Sequence, residues 1–206
     1  MEPTRKGWHM TEKLHRSDTA LHGVSLLEPR VFRDERGFFL ESYHQQDFEK
    51  IGIDTRFVQD NHSCSSRGVI RGLHFQARYP QEKLVRVIRG SVYDVAVDIR
   101  RGSPAYGHSV GIVISGSDHR MIHVPAGFAH GFLALEDHTE VLYKASEFHH
   151  PEYDAGIVWN DPDLNIAWPL AQYGIRDPIV SGKDQQLPRF RKIESPFVYE
   201  GRGDTG

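Results

Sequence analysis

The feature that most constrains this chain is a train of short apolar runs between Val24 and Trp168, punctuated by Gly, Pro, Ser or Asp. The clearest pair is Lys83 to Arg89 and Ser91 to Ile99, divided by Gly90. In the second run Tyr93, Val95, Val97 and Ile99 alternate with Val92, Asp94, Ala96 and Asp98. Side chains alternate across a strand, so one face takes the first set and the other takes both carboxylates. Val110 to Ser115, Arg120 to Val124, His130 to Leu135 and Glu140 to Ala145 follow at the spacing of a sandwich or barrel. The pattern predicts an all-β fold, a jelly roll or barrel. A polar inner face on a barrel strand lines a lumen that holds water or ligand. Periodicity alone equally allows Asp94 and Asp98 to face solvent.

Upstream, Val31-Phe32 and Gly37 to Ser42 flank the charged turn Arg33 to Arg36, and Asp47 to Ile51 is the best short helix. Arg56 to Gln59 resumes a strand, and Asn61 to Ser66, which holds the lone Cys64, reads as a polar turn-like run. After Pro169 the pattern weakens, and Asp184 to Phe190 is irregular. The 206 residues fit one domain that buries its own core without staples. We expect a polar extension over 1–20, the domain over 21–190 with short helices towards its termini, and a tail over 191–206. Within the tail, Arg202-Gly203-Asp204 reads as a chance triplet.

A net charge of -3 points away from nucleic acid as the main partner, although a local Arg/Lys cluster can still hold a small anion. One cysteine allows no intrachain disulfide, which suits a reducing, cytoplasmic setting. No stretch approaches the roughly 18 apolar residues of a membrane span. The first twenty residues carry Arg5, Lys6, Lys13 and Arg16 but no apolar run of a signal peptide. No membrane partner is expected.

Two motifs carry chemistry. Arg71-Gly72-Leu73-His74-Phe75-Gln76 offers a guanidinium fork suited to phosphate and an imidazole suited to proton abstraction near neutral pH. Pro125-Ala126-Gly127-Phe128-Ala129-His130-Gly131-Phe132 is similar to the second motif of the cupin superfamily, small β-barrels in which this histidine is commonly a metal ligand. The first cupin motif supplies His-x-His; here His74 is followed two residues later by Gln76. A stable metal site generally needs three protein ligands, so the deficit predicts a cupin with no metal.

The ordered set of motifs is far more specific than either alone. Asp34 to Phe39, Phe57 to Ser63, Arg71 to Gln76, Lys83 to Arg86, Tyr93 to Arg100, Gly127 to Phe132, Leu142 to Lys144 and Trp159 to Pro162 occur in this order. Together they resemble the dTDP-4-dehydrorhamnose 3,5-epimerase family. The resemblance implies a cupin-type jelly roll acting, without cofactor, on a dTDP-linked 4-keto-6-deoxy sugar. It implies His74 as the base, Asp184 as its orienting partner, Tyr143 as the acid and Lys83 as the enolate-stabilising cation. Arg36, Glu41, Gln59, Asn61, Arg71, His130, His149, Asp154 and Lys183 match positions that bind the sugar nucleotide, with Arg36 and Arg71 as the diphosphate clamp. Where the family places a base-stacking aromatic, this chain has Phe148-His149, which leaves the identity of the nucleotide base open. A homodimer whose N-terminal strands cross to the partner sheet is also implied. Rivals are a single-centre epimerase or ketoisomerase, a metal-dependent cupin oxygenase, and a binding-only cupin.

Overall fold

The computed structural model describes residues 13–201; the first twelve residues and the Arg202-Gly203-Asp204 triplet lie outside them. In chain order the strands are β1 (Leu14–Asp18), β2 (Ser25–Pro29), β3 (Val31–Asp34), β4 (Gly37–Leu40), β5 (Gln59–Ser65), β6 (Val69–Gln76) and β7 (Lys83–Arg89). They continue as β8 (Ser91–Asp98), β9 (Ser109–Ser115), β10 (Met121–Val124), β11 (Phe128–Ala134), β12 (Thr139–Ala145), β13 (Asp154–Gly156) and β14 (Ile179–Val180). Helix α1 (Gln45–Lys50) follows β4, and α2 (Gly182–Gln185) follows β14.

One sheet has the order β1-β2-β10-β7-β12-β5, and a second runs β13-β6-β11-β8-β9 with β14 beside β6. Val85, Val87, Ile122 and Val141 from the first meet Val92, Ala96, Ile114, Phe128 and Phe132 from the second in one buried core. Each buried Val, Ile or Phe side chain among them contributes roughly 1.5–3 kcal/mol on leaving water. The other face of β8, carrying Val95 and Val97, is covered together with the following Ile99 by Leu164, Trp168, Phe190 and Phe197 from the C-terminal segments. Strand β8 is therefore buried on both faces, which overturns the solvent-facing alternative for its carboxylates. Asp94 and Asp98 are both 0% exposed. Arg100 and Ser103 satisfy Asp98, each at 2.6 Å.

Elsewhere the structure departs from the sequence pattern for identifiable reasons. Leu14–Asp18, inside the segment read as a polar extension, is strand β1, paired antiparallel with β2. The run read as a turn around Cys64 is β5, and that strand starts at Gln59 rather than Arg56. Gln59, Asn61 and Ser63 are its inner residues, directly opposite Ala145, Tyr143 and Val141 of β12. With polar residues on both faces, β5 lacks the contrast that marks a strand in sequence. Part of the segment read as a tail also packs: Phe197 enters the second core, and Arg101 N–H donates to the Phe197 carbonyl at 2.9 Å.

Candidate active site

Simple alternation along β6 would put Arg71 and His74 on opposite faces. A β-bulge prevents this. His74 pairs with His130 of β11, but Arg71 pairs with Phe132, so β6 carries one extra residue between the two pairs. His130 and Phe132 share a face of β11, and Arg71 and His74 are brought to that same face. The two glycines of the motifs make the close approach possible. Gly72 sits at φ 123°, and a Cβ there would lie 2.6 Å from the Cα of Gly131 and 2.8 Å from the His130 carbonyl oxygen.

A cavity of about 490 Å³ opens between the sheets, lined by Arg71, His74, Lys83, His130, Tyr143 and Asp184 among others. Arg71, His74 and His130 come from the β6–β11 wall, and Lys83 and Tyr143 come from β7 and β12 opposite. Asp184 arrives on α2, whose N-cap Ser181 accepts a hydrogen bond from the Asp184 N–H. The Ser-x-x-Asp pattern of this cap was the available sequence signal for α2.

His74 Nε2 lies 2.8 Å from Asp184 Oδ1, and Gly72 N–H donates to Asp184 Oδ2 at 3.2 Å. Asp184 thus fixes both the ring and the bulge beneath it. Burial pushes its carboxyl upward, but the bonds from His74, Gly72 and Ser181 outweigh that and hold it below the usual carboxylate range. His130 Nε2 lies 2.8 Å from Asp94 Oδ1, a second imidazole–carboxylate pair deeper in the wall. Burial lowers the Lys83 ammonium pKa, while Asp154 and Asp94 push it back up. Burial raises the Tyr143 phenol, opposed by Arg71 and reinforced by Asp154.

Gln59, Asn61, His149, Asp154 and Lys183 form a bonded chain. Gln59 Nε2 donates to Asn61 Oδ1 at 3.0 Å, and Gln59 Oε1 accepts the His149 N–H at 2.9 Å. His149 Nε2 and Lys183 Nζ reach Asp154 at 3.1 and 3.0 Å. Arg36 and Glu41 lie elsewhere. Arg36 is at the tip of the β3–β4 hairpin, paired with Asp34, and Glu41 is paired with Lys13 at 2.8 Å. Asp60 and His62 point outward to Lys144 and Glu140.

The donor set does not fit a cupin metal. His74 and His130 each direct Nε2 to a carboxylate. The carboxamide of Gln76, in the place of the expected third ligand, bonds to backbone groups of residues 79, 148 and 150. Among the described residues no three His, Cys, Asp or Glu side chains converge. Nor is any described helix long and apolar enough to cross a membrane.

Comparison with known proteins identifies the family. The family model for dTDP-4-dehydrorhamnose 3,5-epimerase matches residues 18–192. The chain is 54% identical over 172 residues to the enzyme of that name from Pseudomonas aeruginosa, covering 83% of this chain and 93% of the relative. It is 51% identical over 174 residues to the one from Methanothermobacter thermautotrophicus, covering 84% and 93%. The crystal structure of the dTDP-6-deoxy-D-glucose-3,5-epimerase from Legionella pneumophila, in complex with dTDP-4-keto-L-rhamnose, superposes with a TM-score of 0.87 at 41% identity, covering 91% of this chain and all of that one. A family model that spans most of the chain, and relatives at half identity over more than four-fifths of it, place this chain in the dTDP-4-dehydrorhamnose 3,5-epimerase family of isomerases.

Proposed function

We propose that the protein inverts C3 and C5 of dTDP-4-keto-6-deoxyglucose, yielding dTDP-4-keto-L-rhamnose. The C4 ketone acidifies the protons on its two neighbouring carbons. His74 removes one of them, and the electron pair moves into an enolate. The imidazolium that forms is stabilised by Asp184. Lys83 stabilises the charge developing on the ketone oxygen, where a buried cation acts more strongly than in water. Tyr143 then returns a proton to the same carbon from the other side of the ring. Burial holds this phenol above the ordinary tyrosine range, so it keeps its proton at neutral pH.

The observation that carries this reading is the 2.8 Å His74–Asp184 contact on one wall, facing Tyr143 and Lys83 on the other. A base and an acid on opposite walls are what inversion requires; one residue doing both would restore the original centre. Arg71, held by Ser65 Oγ at 3.1 Å, is assigned to the diphosphate, and the chain from Gln59 to Lys183 is assigned to the nucleoside side. Arg36 and Glu41 are not among the described residues that line the cavity. They are assigned to a partner's site in a homodimer, and the exposed Phe32, Phe38 and Phe39 of the same hairpin suit cover by a second copy.

Incubation with dTDP-4-keto-6-deoxyglucose in deuterium oxide tests the reaction. Deuterium appears at both C3 and C5 and is lost from both in His74→Asn. Label at a single carbon would replace the assignment with a single-centre epimerase.

A further inference from the structure

Gln76 is 4% exposed and its carboxamide is fully engaged. Its Nε2 donates to the Tyr79 carbonyl at 2.5 Å and to the Phe148 carbonyl at 3.2 Å. Its Oε1 accepts the His150 N–H at 2.8 Å. One amide thus closes three backbone groups from two loops, the β6–β7 connection and the segment after β12. Glutamate lacks the two donors, and methionine of similar shape lacks both donors and a strong acceptor.

The consequence lies in the residue between. With Phe148 and His150 held to Gln76, the intervening His149 is directed the other way. There its N–H donates to Gln59 and its ring meets Asp154. The strap is reinforced by Tyr79, which stacks on His150 with ring centroids 4.7 Å apart and planes 29° apart. His149 and the 58% exposed Phe148 are left as an open aromatic edge beside the bonded chain of Gln59, Asp154 and Lys183.

We infer that Gln76 is a positioning residue for nucleotide binding, holding the 148–150 backbone so that His149 and Asp154 meet the nucleoside end of the substrate. The inference rests on the proposed role of that edge in binding dTDP. None of the three bonds of Gln76 reaches His74 or Tyr143, so its effect falls first on binding.

Gln76→Met tests this in the full-length protein, with kcat and KM measured on the dTDP-4-keto sugar and Kd measured for dTDP by calorimetry. The expected result is a rise on the order of 10-fold in both KM and Kd, the lower end of what loss of a supporting residue costs in affinity at metal sites. The kcat stays within about threefold, and Gln76→Glu, which turns a carboxylate oxygen towards the Tyr79 and Phe148 carbonyls, weakens binding at least as much. A fall in kcat at constant KM, or unchanged binding, overturns the inference. Hydrogen exchange in the unmodified protein needs no variant: the His150 amide is protected before dTDP is added, and a freely exchanging amide there also overturns it. His149→Ala separates the two claims. If it leaves Kd for dTDP unchanged, the nucleotide assignment of the edge fails, whatever Gln76→Met does.

Discussion

Asp184→Asn is the sharpest test of the proton-transfer geometry. In the folded protein Asp184 is 5% exposed and offers one oxygen to His74 and the other to Gly72 N–H. Asparagine keeps the shape and one acceptor, so the bulge retains its support while the negative charge disappears. A charge-assisted hydrogen bond contributes about 1.5–3 kcal/mol. Losing it from the imidazolium that forms in the transition state costs roughly 10- to 150-fold in rate. Asparagine can also donate its NH₂ to His74 and select the wrong tautomer, a fault that costs about 10⁴-fold in the His–Asp pair of serine proteases. The expectation is therefore a fall of about 10²- to 10⁴-fold in kcat with KM within about threefold. Loss of the C3 and C5 proton signals in deuterium oxide provides the assay. A stability measurement accompanies it. A carboxyl held below its unfolded value contributes stability that is present above about pH 4 and is lost as pH falls through the lower folded value. The stability gap between wild type and Asp184→Asn should accordingly narrow in acid. A kcat within threefold of wild type would refute the assignment of Asp184 as the partner of the base.

Two further changes probe the electrostatics and the wall. Asp154 raises both the Lys83 ammonium and the Tyr143 phenol, so Asp154→Asn moves the alkaline limb of kcat/KM to lower pH whichever group sets it. A pH–rate profile with an unmoved or upward-shifted limb contradicts this. Gly72→Ala forces a methyl against Gly131 and the His130 carbonyl at a φ of 123°. Strain of about 1–3 kcal/mol and overpacking of about 1–3 kcal/mol predict a loss near 2–6 kcal/mol, read by urea unfolding. A change under about 0.5 kcal/mol would show that β6 and β11 do not approach as described.

The fold was legible wherever one face of a strand differed chemically from the other. Tyr93, Val95, Val97 and Ile99 announced β8, and Gly90 announced the turn before it. What that alternation could not assign was the environment of the opposite face, because Asp94 and Asp98 look the same in sequence whether water or a second sheet lies above them. Strand β5 was missed for the converse reason: its inner residues Gln59, Asn61 and Ser63 are themselves polar, so neither side is apolar. The bulge on β6 was invisible because period two predicts the opposite outcome for Arg71 and His74. Only the paired glycines, Gly72 and Gly131, carried a local sign of the close contact. The motifs were legible as chemistry before their geometry was, since His74, Tyr143 and Lys83 are separated by long stretches that the sheets must fold together.

The charge arrangement explains why the cavity suits an anionic substrate that becomes more anionic as it reacts. Each carboxylate near the cavity is already engaged: Asp184 with His74, Asp94 with His130, and Asp154 with His149 and Lys183. These pairs fix rings and loops, and the Lys183 ammonium offsets the charge of Asp154. The two cations on the lining are held differently. Arg71 rests on neutral oxygens, Ser65 Oγ and the Cys64 carbonyl, and Lys83 feels Asp154 and Asp94 only while those are shared with other partners. A guanidinium and an ammonium with such weak local compensation retain most of their attraction for an incoming anion. The proposed function would then have the diphosphate and the enolate draw on separate cations, Arg71 on the β6 wall and Lys83 on the β7 wall. Loss of Lys83 should therefore slow turnover far more than it weakens binding, and loss of Arg71 should do the reverse.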